Sequence, residues 1–507
     1  MIDNLILGLE TAVTPQNLFW CFIGVALGTV IGMLPGLGST TGVALLLPVT
    51  LTFEPVTALI TLAGIYYGCQ YGSSISSILI STPGDSSSVV LTLDGYQMAR
   101  NGRAGAALAI SAISSFCSAM ITLVALLAVA QPIADAAVRF GPPEMLAIVL
   151  LGLATIVSFA GSNVLRGITM AAVGILLSTV GIAAGFTTAR FTFGSINMLG
   201  GLDFVAILIG IFAIGEVLHQ IHSGGAEPIR ARFRDLVLRR SDLRRAGPPT
   251  LRGAVLGFVL GVLPGAGATL ATFMAYGLEK QVSRHRDEIG SGAIEGVAAP
   301  EAANNAAANA SFIPTLALGI PGSGTTAVLL GAFVVFGLQP GPLLFEQQPS
   351  LVWGLLVSFF FGNLLLLVLN LPLAPVFAQA LRVPYSYLYP FVLAISLIGA
   401  FAIGNNTFTL WVAFVAGVLG YFMKRFDFPA APLVLGLVLG PLLERSLVQT
   451  SEIGRGNLFI VFERPLSATF AVIAVLAMLA PLVAGIRRRR RAAAALAVTD
   501  DREHAVR

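Results

Sequence analysis

Four stretches of this chain, residues 104–131, 163–186, 351–379 and 466–486, carry almost no charge. Each approaches or exceeds the ~20 residues that a helix needs to cross hydrocarbon. Only 11% of the 507 residues are charged, against about a quarter in a soluble domain whose surface faces water, and mean hydropathy is +0.88. A soluble multidomain protein is excluded, and a polytopic membrane protein is expected. The N-terminus, MIDNLILGLETAVTPQ, has no positively charged n-region, so no cleaved secretory signal is expected. Cys21, Cys69 and Cys117 sit in apolar surroundings without metal-ligand spacing and are expected to be packing thiols. Neither a cofactor nor a metal site is implied.

Charge placement predicts topology. No Lys or Arg precedes Arg100, whereas residues 223–252 hold eight arginines against three acids. Lys280, Arg284 and Arg286, then Lys424 and Arg425, then Arg487 to Arg491 form further clusters. Positive charge gathers on cytoplasmic loops, so each cluster marks an inner segment. An anionic-lipid or nucleic-acid patch at Arg487–Arg491 is the functional alternative, but directly after an apolar helix a topological stop is favoured. The net charge of +4 gives no ground for a nucleic-acid partner.

The chain also repeats itself. GVALGTVIGMLPGLGST at 24–40 and GAVLGFVLGVLPGAGAT at 253–269 share ten of seventeen positions at one constant offset. TPGDSSS at 82–88 has a weaker counterpart in IPGSGTT at 320–326, GSN at 161–163 aligns with GNN at 404–406, and Gly174 with Gly417. Ordered matches along both halves indicate an internal repeat, as many transporters have. Arg100 and Arg103 follow the first PG segment, but the equivalent stretch after the second, GLQPGPLLFEQQP, holds no positive residue, so the repeats are expected to be inverted.

Around Pro264–Gly265, arms of 251–262 and 266–279 are each about 18–21 Å long, enough to reach mid-bilayer but short for spanning. Both outer ends are basic, which a re-entrant hairpin from the cytoplasm satisfies; by inversion, 18–53 forms a hairpin from the periplasm. The predicted fold is an all-α integral membrane protein of two inverted-topology repeats, each with a re-entrant helical hairpin and a Pro-Gly-broken helix, plus scaffold helices. It divides into a periplasmic N-terminus (1–17), repeat 1 (18–222), a basic cytoplasmic linker (223–250), repeat 2 (251–445), a periplasmic loop (446–465), an extra transmembrane helix (466–486) and a basic cytoplasmic tail (487–507). Segments 56–99 and 289–338 are each longer than one crossing needs.

Pro and Gly break helices, and broken backbone at membrane depth is tolerated where it lines protein or a water-filled cavity. A half-helix beyond the break presents free N–H groups and a positive dipole end, suited to a carboxylate. Unwound carbonyls and hydroxyls suit Na⁺. The candidate substrate- or ion-binding residues are therefore Gly36, Gly38, Ser39 and Thr40; Pro83, Gly84, Asp85, Ser86 and Ser87; Gly265, Gly267 and Thr269; Asn304 and Asn305; and Pro321, Gly322, Ser323 and Thr325. Small residues in membrane helices also serve close packing, and Gly24–Gly28–Gly32 is best explained that way. An acid in an apolar region is a functional candidate by default: Asp85 either binds a cation or proton or caps the following helix. Glu301 lies near the site or on the cytoplasmic approach. GLGSTTG at 36–42 lacks dinucleotide-loop spacing, and no Walker sequence is present.

LPGLG and LPGAG in repeated positions, YYGCQYGSSISSILISTPGDSSSV and PEAANNAAANASFIPTLALGIPGSG together resemble the large permease subunit of tripartite tricarboxylate transporters, the TctA family. The resemblance covers essentially the whole chain. It implies a small membrane subunit and a periplasmic solute-binding protein as partners, and uptake of organic carboxylates across the bacterial inner membrane. The driving force would be a Na⁺ or H⁺ gradient rather than ATP. The hairpin-plus-broken-helix plan also resembles elevator-type dicarboxylate carriers. The alternatives are a channel or exporter without a binding protein, or an intramembrane enzyme; the four histidines and scattered acids supply no visible nucleophile–base pair or metal cluster for the latter.

Overall fold

The computed structural model describes residues 2–34, 36–137, 140–154, 164–183, 188–220, 238–263, 267–341, 343–380, 385–404 and 406–476. These residues are helical apart from loops and a two-residue antiparallel ribbon, Gly181–Ile182 with Ala189–Arg190. Five helices among them are long and apolar enough to cross a membrane: Pro15–Met33, Leu91–Ala130, Pro349–Leu373, Thr407–Arg425 and Ala430–Ile453. Val124, Leu165, Ile398, Trp411 and Val415 point outward with more than 60% exposure, an apolar surface that lipid accommodates and water does not. The chain is an all-α, multi-pass membrane protein.

Helix α1 (Ile2–Ala12) precedes α2 (Pro15–Met33) and α3 (Gly38–Thr50), which flank the first LPG segment. Between them Gly36 and Gly38 adopt φ of +80° and +60°, where a β-carbon is disfavoured. The outer ends of the arms meet, with the Trp20 and Phe53 rings 4.2 Å apart. In the second half, α10 (Arg240–Val262) and α11 (Gly267–Val282) flank residues 264–266, and Gly267 has φ +62°. Their outer ends meet through Arg252 and Glu279 at 2.7 Å. In both halves, the helices on either side of the LPG segment pack against each other. Helix α10 begins inside the 223–250 span, because Asp242 accepts from the Arg239 N–H and pairs with Arg103 at 3.0 Å.

Each first arm lies along the next long helix in the same way. Gly24, Gly28 and Gly32 of α2 rest on the backbone of Thr61, Ile65 and Cys69 in α4 (Pro55–Ile80). Gly253, Gly257 and Gly261 of α10 rest on Ala299, Ala303 and Ala307 in α12 (Glu295–Ala310). A β-carbon at Gly28 or Gly257 would collide with the carbonyl of Ile65 or Ala303. Here glycine serves backbone approach, as in other tightly packed membrane helices.

Both over-long segments resolve into helix, break and helix. Helix α4 ends at Ile80 with Ser81 left-handed at φ +55°, and a 3₁₀ turn (Ser86–Ser88) leads to α5 (Leu91–Met98). Helix α12 kinks at Ser311 into α13 (Phe312–Leu318), stops at Gly319 with φ +68°, and restarts as α14 (Gly324–Val335).

The other helices are α6 (Ala104–Ala137), α7 (Pro142–Ala154), α8 (Val164–Ser178), α9 (Phe204–Gln220, π-helical over Ile209–Ile214), α15 (Pro349–Ala380), α16 (Tyr385–Gly404), α17 (Thr407–Arg425) and α18 (Ala430–Ile453). Helix α8 is shorter than its apolar stretch, since Gly181 at φ +111° turns the chain into the ribbon. Helix α18 continues past 445 to Ile453. The halves exchange partners: Gly174 of α8 packs on Leu433 of α18, and Gly417 of α17 packs on Ile214 of α9. The 487–507 tail and most of the linker lie outside the described residues.

Ion pairs tie distant segments together, and their grouping can be compared with the sides that the charge pattern predicts. Arg103–Asp242, Arg245–Glu288, Arg245–Glu295, Arg252–Glu279 and Lys424–Glu216 each join residues that the charge count puts inside. Arg190–Glu444 and Arg464–Glu144 each join residues that it puts outside.

Asp94 of α5 locks the two halves together. Fully buried, it accepts the Gly290, Gly292 and Ala293 N–H groups at 2.7–2.9 Å and the Tyr276 hydroxyl at 2.9 Å. Charge-assisted bonds of this kind are about twice as strong as neutral ones. Asp94→Asn keeps the shape, removes the charge and turns one acceptor into a donor. It is expected to cost about 2 kcal/mol, measured by thermal unfolding of the purified chain; an unchanged melting curve would count against the lock.

Candidate substrate and ion site

The four helix breaks come together at one place. Asp85, which follows Pro83–Gly84, reaches the start of α3, where its Oδ2 accepts the Ser39 N–H at 3.0 Å and the Ser39 hydroxyl at 2.6 Å. The Ser39 Oγ lies 2.8 Å from Thr325 Oγ1 on α14, which lies 3.1 Å from Thr40 Oγ1. A hydroxyl has one proton to give. Since Ser39 donates to Asp85, Thr325 donates to Ser39 and Thr40 to Thr325, and the chain of hydroxyls is polarised toward the carboxylate. The second hairpin joins through Thr269, whose Oγ1 is 2.8 Å from Ser86 Oγ. Ser323 lies 3.5 Å from the Tyr66 hydroxyl.

Local structure holds these groups in place. Gly84 lies so close to α2 that a β-carbon would overlap the Gly32 carbonyl. The Asp85 N–H donates to Ser73 Oγ of α4 at 2.6 Å, Ser73 bonds Ser88, and Ser87 donates to Gln70 Oε1 at 2.9 Å. Asp85 also caps the 3₁₀ turn, its Oδ1 accepting the Ser87 N–H at 3.3 Å. Asp85 therefore caps the turn and at the same time presents its carboxylate to the start of α3. Pro321 and Gly322 are buried, Gly322 against Ser311, and Ser323 with Thr326 forms a capping box on α14. Gly36 and Ser86 are exposed, while Thr40, Asp85, Thr269 and Ser323 are half-buried, so the cluster is reachable. Gly267 stands free of neighbours at the α11 N-terminus. Gly265 lies outside the described residues.

The two asparagines divide. Asn304 is fully buried, and neither its Oδ1 nor its Nδ2 has a hydrogen-bond partner. At 100° per residue it lies about 60° around α12 from Glu301, toward the alanine face that packs on α11. The Ser86–Ser88 turn packs on both α11 and α12. Asn305 faces away, donating to Ser115 Oγ of α6 at 2.7 Å. Gln70, Ser73 and Tyr66 were not singled out from the sequence. Their signal was polar side chains inside an apolar helix at spacings of three and four, which mark one face.

The sequence profile of the tripartite tricarboxylate transporter TctA family matches residues 18–435. The chain belongs to the TctA family. Members are components of a tripartite transporter rather than enzymes. An Agrobacterium vitis relative, described as an uncharacterized 52.8 kDa protein in the TAR-I ttuC' 3' region, is 46% identical over 96% of this chain and 98% of its own length. A second from the same organism, described as an uncharacterized protein in the TAR-II ttuC' 3' region, is 44% identical over 46% of this chain and 96% of its own length. No solved structure matches the chain.

Proposed function

We propose that this TctA-family chain is the large permease subunit of a binding-protein-dependent secondary transporter in a bacterial inner membrane. It imports organic di- or tricarboxylates by symport with Na⁺ or H⁺. A small membrane subunit and a periplasmic solute-binding protein complete the system. The observation that carries the reading is the hydrogen-bonded meeting of Asp85, Ser39, Thr325 and, through Ser86, Thr269, together with Asn304 of α12, a fully buried amide with no partner for either polar atom. Buried polar groups are rarely left unpaired, and a carboxylate-bearing ligand with its cation would satisfy this one. The substrate's carboxylates would meet the α11 N-terminus and the Thr40, Ser86 and Thr269 hydroxyls. Asp85 would repel them unless a cation entered with them, which ties uptake to the ion.

An elevator-type motion is part of this reading. The glycine interlocks of α2 with α4 and of α10 with α12 support hairpins and broken helices that move as one body against the remaining scaffold helices. Proteoliposomes holding the chain, the small subunit and the binding protein are expected to accumulate labelled carboxylate only when a Na⁺ or pH gradient is imposed and binding protein is added. Accumulation without a gradient, or flux indifferent to the binding protein, would refute the reading.

A further inference from the structure

A second polar cluster lies between the halves and takes no part in the four-break site. Glu301 of α12 is 1% exposed. Its Oε1 accepts the Ser74 hydroxyl of α4 at 2.6 Å, and its Oε2 accepts Ser111 and Ser115 of α6 at 2.9 and 2.8 Å. None of the ion pairs found among the described residues includes it. Among titratable groups, Tyr71 on α4 lies near it and is no cation. On the other elements that pack on α12, Asp94 is held by the Tyr276 hydroxyl and backbone N–H groups and Asp85 by Ser39; Asp242, Arg245, Arg252 and Glu279 are held in other ion pairs, Lys280 lies over the Tyr276 ring, and Arg240 and Arg244 are exposed. A carboxylate at membrane depth without a counter-charge is costly.

The surrounding oxygens narrow what neutralises it. Asn305 is locked into the network through its Nδ2, yet its Oδ1 has no partner. One turn on, Asn309 donates to the Ala119 carbonyl and Thr122, and its Oδ1 is also unpaired, as is the Tyr71 hydroxyl. Both asparagines are 1% exposed. Ser74, Ser111 and Ser115 have given Glu301 their only protons. The cluster therefore has one negative charge, spare oxygen lone pairs and few spare donors. A proton would cancel the charge but leave the amide oxygens unmet; a desolvated hard cation answers both needs, since carboxylate, carbonyl and hydroxyl oxygens are its ligands.

We infer that Glu301, with Asn305 and the Ser111 and Ser115 hydroxyls, forms a Na⁺ site distinct from the Asp85 cluster. The inference rests on the symport reading and assigns its ion a place. Adjacent residues of α4 serve the two sites: Ser73 holds the Asp85 backbone and Ser74 holds Glu301. A shift of α4 on Na⁺ binding is thereby felt at the substrate cluster.

The test is ²²Na⁺ equilibrium binding to the purified full-length chain in lipid nanodiscs, with melting curves in NaCl against KCl. Wild type is expected to bind Na⁺ saturably and to melt higher in NaCl. Glu301→Gln should abolish both effects, and Asn305→Ala should weaken Na⁺ binding about tenfold, one lost ligand contact. Should Glu301→Gln fail to purify as a monodisperse protein, Asn305→Ala and Ser111→Ala carry the test. Wild-type Na⁺ affinity in the folded variants overturns the site. So does wild-type stability that responds to pH but not to Na⁺, which makes the occupant a proton. Na⁺ binding without gradient-driven uptake would leave the site standing and refute symport. Gradient-driven uptake unchanged in Glu301→Gln would do the reverse.

Discussion

Asp85→Ala is expected to lower carboxylate uptake by at least about 100-fold. The carboxylate ends the hydroxyl chain Thr40–Thr325–Ser39 and also accepts the Ser39 and Ser87 N–H groups. Removing a charged acceptor costs about 1.5–3 kcal/mol for each hydrogen bond lost, and each 1.4 kcal/mol is a factor of ten. Asp85→Asn should fall between, since the amide oxygen can still accept from Ser39 but the negative charge that calls for a cation is gone. Initial uptake rates in proteoliposomes at matched protein content provide the measurement, with a melting curve to confirm folding. Uptake by a folded Asp85→Ala protein within twofold of wild type would remove Asp85 from the site.

Gly84→Ala should be nearly as damaging for a different reason. Its β-carbon would overlap the Gly32 carbonyl and lie 3.3 Å from the Ser73 Cα. Both neighbours are backbone in packed helices, so the 82–85 segment must move instead. Overpacking of this kind costs about 1–3 kcal/mol, and the displaced residue is the one before Asp85. A misplacement of about 1 Å can cost two orders of magnitude where geometry decides rate, so uptake is expected to fall at least about tenfold together with the melting temperature. Gly277→Ala on α11 is the control, because a β-carbon there meets nothing within 4 Å. Equal behaviour of the two variants would show that close packing at Gly84 is irrelevant.

Much of the site could be seen in advance as a set of residue types. Gly38, Ser39 and Thr40, Asp85 to Ser87, Thr269, and Ser323 with Thr325 were picked out because Pro-Gly breaks expose backbone and hydroxyls follow them. The structure joins Ser39, Thr40, Asp85, Thr325 and, through Ser86, Thr269 by hydrogen bonds, while Ser323 bonds Thr326 and Tyr66 instead. Asn305 is the instructive exception. It was grouped with Asn304 because the two are adjacent, but adjacent helical residues point about 100° apart. Asn305 therefore shares the Glu301 face, four residues back, and that spacing was available in the sequence. Its partner Ser115 was not, since the two lie 190 positions apart.

Some features follow from composition and local pattern alone. Charge-poor runs of spanning length compel membrane helices, since lipid leaves backbone groups no partner outside a helix. Pro and Gly dictate where those helices stop, and the repeated LPG segments announce two related halves. The tertiary structure decided what the breaks meet. Ser39 reaches Thr325 across 286 positions and Glu301 reaches Ser74 across 227, contacts that no local pattern encodes. Within each half, glycines let α2 seat on α4 and α10 on α12 at backbone distance, which fixes where the breaks of that half lie; packing across the halves then decides which buried oxygens face one another.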